Sequence, residues 1–166
     1  LALALCAALA APFAPQARAA GDDGLAGAYL AARQAAAAHA YDVAADYFFR
    51  ALEHDPENPQ LMENAVLAAI AIGEVERALP VAQRLAEAGI DSRMGQIVLL
   101  AHDIHEGRFV AARESLSAGR SAGRLVDGLT TAWSHLGEGS VADALAGFDA
   151  VAETPALAQF GLYHKA

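Results

Sequence analysis

Residues 41–60 read YDVAADYFFRALEHDPENPQ, and this stretch decides the fold. Val43, Ala44, Tyr47, Phe48, Ala51 and Leu52 fall at i, i+1, i+4, i+5, i+8 and i+9, a broad apolar stripe at helical period. The pattern predicts a helix over 41–54. Asp55-Pro56 stops it, because a residue before proline is pushed out of the α region. Asn58-Pro59 then starts the next helix, with Asn as N-cap and Pro at the first helical position. An amphipathic helix, a stop and a fresh start within twenty residues describe a chain of short helices joined by tight turns.

The same device recurs. YDVAADYFFRAL from Tyr41, GEVERALPVAQRL from Gly73, GRFVAARESL from Gly107 and GSVADALAGFDAV from Gly139 each run from a turn into a helix. Each helix carries a small residue near its start: Ala44, Ala78, Ala112 and Ala144, spaced 34, 34 and 32 residues apart. Extending the reading gives helices over 24–38, 41–54, 58–72, 75–88, 91–105, 109–119, 123–137, 140–152 and 155–166. Gly73, Gly107 and Gly139 fall in the turns within hairpins, where helix C-termini favour left-handed geometry. Thr154-Pro155 repeats the cap-and-proline device for the last helix. The segment 117–123, SAGRSAG, is the loosest joint. Strand formers never gather into alternating runs, so the expected class is all-α.

A 34-residue unit of two helices resembles the tetratricopeptide repeat. Ala44-x3-Phe48 followed by Pro56, and Ala144-x3-Phe148 followed by Pro155, carry the second half of that signature. Where the family often has Trp, Leu, Gly and Tyr in the first half, the first repeat has Ala28, Ala31, Ala32 and Ala35, and the second has Met62, Ala65, Val66 and Ala69. The resemblance implies an α-solenoid: antiparallel hairpins stacked into a right-handed superhelix, each burying its stripe against its neighbours. Residues 21–166 would form about four hairpins plus the first helix of a fifth, GLYHKA at 161–166, within a longer protein. In such arrays the first helix of each hairpin lines a concave groove. By that implication the groove shows Tyr29 and Arg33, then Glu63, Leu67 and Ile70, then Met94, Ile97, Ala101 and His105, and last Val126, Leu129 and Trp133. Family members that clamp a terminal carboxylate use Lys, Asn and Arg there; of these residue types only Arg33 is present.

The N-terminal residues 1–20, LALALCAALAAPFAPQARAA, are an address rather than part of the fold. An apolar run from Leu1 to Ala14 leads to Ala17-Arg18-Ala19, which fits the A-x-A cleavage pattern of a secretory signal peptide. There is no initiator Met and no charged n-region, so the segment reads as a signal peptide truncated at its own start. The run is shorter than the roughly 20 apolar residues that span a bilayer. Membrane association is expected only through an uncleaved signal. With Lys165 the only lysine in an Ala- and Arg-rich chain, the expected setting is the periplasm of a Gram-negative bacterium.

Composition narrows the function. Hydrophobic residues make up 55% of the chain but aromatic ones only 7%, the gap being filled by alanine, whose small side chain lets helix axes approach closely. The formal net charge is −9 and no basic stripe is present, so nucleic-acid binding is not expected. Cys6 is the single cysteine, which leaves no internal disulfide and no Cys-based zinc site. His102 and His105 stand i, i+3 on one helix with Asp103 and Glu106 beside them, an alternative metal-binding or hydrolytic centre; the arrangement is not HExxH and ends in a turn. No nucleophile elbow, P-loop or dinucleotide fingerprint occurs. The expectation is a non-catalytic scaffold, without cofactor or metal, that holds a peptide or helix of a protein partner in the cell envelope. A structural spacer joined to a further domain is the other alternative.

Overall fold

The computed structural model describes residues 24–166; the signal-peptide reading of 1–20 falls outside them. Among the described residues there are nine α-helices and no strand: α1 (Leu25–Ala37), α2 (Tyr41–His54), α3 (Pro59–Ala71), α4 (Val75–Glu87), α5 (Arg93–His105), α6 (Phe109–Ser117), α7 (Arg124–Gly137), α8 (Val141–Ala152) and α9 (Ala158–Lys165). Consecutive helices pack pairwise along the chain, and among the described residues the only other substantial packing is α3 on α5 and α5 on α7. The molecule is an α-solenoid.

The local chemistry follows the sequence closely. The Asn58 side chain accepts from the backbone N–H groups of Gln60 and Leu61 at 3.1 and 3.3 Å, and Pro59 takes the first turn of α3. Ser92 caps α5 by accepting from Gly95 N–H at 2.8 Å. The turns within hairpins put one residue at positive φ each: His39 at 60°, Gly73 at 79°, Gly107 at 70° and Gly139 at 83°. These positions share the register of the alanines. A histidine therefore holds, in the first hairpin, a left-handed conformation that glycine holds in the other three.

The last helix differs from expectation. It begins at Ala158 rather than Pro155, with no side-chain cap. A capping side chain works best from an extended N-cap, as at Asn58 and Ser92. Thr154 instead donates its N–H to Val151 O, prolonging the end of α8, and its carbonyl accepts from Leu157 N–H. Bound into these turns, it cannot repeat the part played by Asn58.

Packing rests on small residues. Ala44, Ala78 and Ala112 are 0% exposed and Ala144 1%. Facing them in each hairpin's first helix, Ala32, Val66 and Ala132 are 0% exposed and Leu100 2%. Burying a Leu or Phe contributes about 1.5–3 kcal/mol, and an Ala much less, so an alanine-rich interface compensates by bringing backbones close. A Cβ added to Gly147 would lie 2.8 Å from the Ala132 Cβ, and one added to Gly161 would lie 2.6 Å from both Ala152 N and Phe148 O.

The core is not continuous. One apolar cluster runs from Ala28 to Val98, a second joins Leu100, Ala112 and Ala122, and a third joins Ala132, Ala144 and Phe148. Between the first two, the third hairpin is polar inside: buried Gln96 Nε2 donates to Ser115 Oγ at 2.9 Å, and Arg120 Nε donates to the same oxygen at 3.0 Å. α6 is also short, with nine residues. Of the 117–123 segment, expected to be the loosest joint, Ser117 still belongs to α6, and Arg120 bonds into this polar patch.

Candidate groove on the odd-numbered helices

The two layers of the solenoid are not equivalent. Among the described residues α3 meets α5 and α5 meets α7, while no pair of even-numbered helices meets as closely. This closer approach, between α3 and α5 and between α5 and α7, distinguishes the odd layer from the even one.

The residue one step beyond each buried odd-helix position faces out. Arg33, Leu67, Ala101 and Trp133, spaced 34, 34 and 32 residues apart, are all exposed, Leu67 by 52% and Trp133 by 42%. Four residues earlier, Tyr29, Glu63, Ile97 and Leu129 are all half-buried. Ile70, Met94 and Val126 are half-buried on the same helices, and His105 is exposed at the end of α5. The groove residues expected from the sequence thus fall into two rows along one layer, an exposed ridge above a half-buried floor. Tyr29, Ile70 and Met94 pack against the first apolar cluster, Ile97 and Val126 against the second, and Leu129 against the third.

At the N-terminal end the groove opens into a depression of about 400 Å³ between α1 and α3, bounded by Leu25, Tyr29, Asn58 and Leu61. Tyr29 meets Phe48 edge-on at 6.4 Å and accepts from Arg33 Nη1 at 3.0 Å through its hydroxyl. At the other end Trp133 leans on buried Phe148, ring centroids 5.5 Å apart, and donates its indole N–H to His164 Nδ1 at 3.2 Å. Trp133 is therefore both packed and presented: one face meets α8 and α9, and 42% of the residue stays open.

The sequence reading passed over Tyr163. It lies 34 residues after Leu129, in register with Tyr29, and is 79% exposed beside His164. The period alone would have found it.

His102 is half-buried and His105 exposed, and no group of three or more His, Cys, Asp or Glu side chains among the described residues could hold a metal ion. No helix among the described residues is long and apolar enough to cross a membrane. No protein-family model matches the chain, and no curated protein matches it as a relative. The fold and the groove thus stand on the repeat period and the packing alone.

Proposed function

We propose that the protein is a non-catalytic scaffold of tetratricopeptide type that holds a peptide or helix of a protein partner along its odd-numbered helices, in the bacterial cell envelope. The observation that carries this reading is the ridge of exposed residues at one register, Arg33, Leu67, Ala101 and Trp133, above a half-buried floor that is apolar except at Glu63. From the second repeat on the ridge is apolar, Leu67, Ala101 and Trp133, and such an extended surface suits a segment burying alternate side chains. Trp133 is a rigid aromatic anchor that could dominate the binding energy. The envelope location rests on the signal-like residues 1–20, and the tetratricopeptide assignment on the 34-residue period with Ala44-x3-Phe48 and Ala144-x3-Phe148.

A photo-crosslinking amino acid placed at Leu67 in cells of a Gram-negative host, and at Asp42 on the even layer as control, tests the reading. A defined protein band is expected from position 67 and not from 42, and it disappears with Trp133→Ala. Equal capture from both layers, or capture indifferent to Trp133, rules the groove out.

A further inference from the structure

The junction between the first two apolar clusters is not solid. A cavity of about 270 Å³ lies where the end of α4, the start of α5 and the 118–121 segment meet. A water molecule in the liquid takes about 30 Å³, and pockets for drug-sized ligands start near 300 Å³, so the space suits a small organic molecule. Its walls are apolar at Leu85, Ile90 and Leu99. Two hydroxyls that line it are engaged: Ser92 accepts from Gly95 N–H and Ser121 donates to Asp127.

Three polar groups are left facing the cavity. Gln96 is 5% exposed; its Nε2 donates to Ser115 Oγ, and its Oε1 has no protein partner. Among the described residues no sealed side-chain oxygen lacks a partner, so this Oε1 is reachable, and it opens into the space that Gln96 lines. Arg120 commits its Nε to the same Ser115 oxygen, which fixes the guanidinium and leaves its Nη groups free. Asp91 is the third group. Asp91 and Arg120 are the charged side chains that line the cavity, and neither forms an ion pair with the other or with any described residue. Gln96 and Arg120 hang on one oxygen, so an acceptor and a cationic fork stand side by side.

The arrangement is peculiar to the third hairpin. The positions that match Gln96 and Ser115 hold Ala28 and Tyr47, Met62 and Val81, and Gly128 and Gly147. No other hairpin sets a carboxamide against a hydroxyl there. A repeat that abandons its own apolar pattern for buried polarity beside an open cavity marks a place shaped by more than stability.

We propose that this cavity binds a free α-amino acid with a small aliphatic side chain. The carboxylate meets the Arg120 fork, whose paired N–H groups match its geometry. The ammonium donates to Gln96 Oε1 and to Asp91, so each charge in the cavity is opposed. The aliphatic group packs among Leu85, Ile90 and Leu99. A simple carboxylate leaves Gln96 and Asp91 unanswered, and a simple amine leaves Arg120 so. The site needs nothing from the groove, and the two readings stand or fall separately.

The full chain is titrated calorimetrically with L-alanine, L-valine and L-leucine, and with isovalerate and isobutylamine, which are valine without its amine and without its carboxylate. At least one amino acid is expected to bind with a dissociation constant of about 1 mM or tighter, and the two fragments about tenfold more weakly. In nitrogen-resolved NMR the Gln96 side-chain amide and the Arg120 Nε–H should shift on saturation. Gln96→Met/Ser115→Val installs the second hairpin's own pair; replacing both partners of a buried hydrogen bond leaves stability nearly unchanged, while binding is expected to vanish. Circular dichroism checks that variant. Asp91→Asn, at an exposed position, keeps the test open if it does not fold, and should weaken binding about threefold. No saturable binding up to about 10 mM overturns the proposal. So does isovalerate binding as well as valine, binding indifferent to these substitutions, or shifts confined to residues remote from Gln96 and Arg120.

Discussion

Replacing Gly161 with alanine should loosen α9 although it improves the local helix. On propensity alone the change stabilises a helix by about 0.5–1 kcal/mol. The new Cβ, however, would stand 2.6 Å from Ala152 N and Phe148 O, which are backbone atoms of α8 that no rotamer change can move aside. Non-bonded heavy atoms settle near 3.5–4.0 Å, so the helices must part by about 1 Å. Overpacking of this kind costs about 1–3 kcal/mol. Subtracting the propensity gain leaves a loss of up to about 2.5 kcal/mol. The loss falls on an eight-residue helix that cannot persist unsupported. Parting the helices also strains the Trp133–His164 hydrogen bond and the Lys165–Asp149 ion pair at 2.6 Å. Trp133, the single tryptophan, reports the event: its emission should shift to the red as Phe148 and His164 withdraw. Amide exchange should rise over residues 158–165 and stay unchanged in α1 to α4. A raised melting temperature with unaltered emission and exchange would refute the reasoning.

Other outcomes are expected elsewhere. His39→Gly relieves a left-handed histidine at φ 60° and should stabilise the protein by up to about 1 kcal/mol in denaturant unfolding; a loss of stability would mean that the His39–Tyr41 ring contact outweighs the strain. Ala78→Leu, at a fully buried position, should cost about 1–3 kcal/mol, whereas Ala37→Leu on the exposed end of α1 should stay within about 0.5 kcal/mol. Ser115→Ala leaves the Gln96 amide buried without its partner and should cost about 1–3 kcal/mol, read as faster exchange confined to α5 and α6.

Most of the fold was legible because its signals are local and periodic. The alanine spacing placed four residues that prove fully or almost fully buried, and the turn and cap residues placed every helix boundary to within three residues. The two rows of exposed and half-buried residues on the odd helices keep the same register. What the sequence concealed depends on distant partners. Gln96 and Ser115 are 19 residues apart and carry no joint signal, so the polar interior of the third hairpin was invisible. Thr154-Pro155 looks like Asn58-Pro59, yet backbone bonds to Val151 and Leu157 hold the threonine in a turn. His39 gives no hint from its type that its φ is positive; only its alignment with Gly73, Gly107 and Gly139 does. Tyr163 was within reach of the period and was overlooked because α9 lies past the last complete hairpin.

The polar seam at Gln96 and Ser115 has a mechanical consequence. A rod with apolar adhesion on either side of a hydrophilic gap yields there first, so under tension or heat it should come apart in stages rather than at one stroke. A ligand lying across the seam would splint it, and tight binding would then appear as stiffness: two softly articulated segments becoming one rigid beam only while loaded.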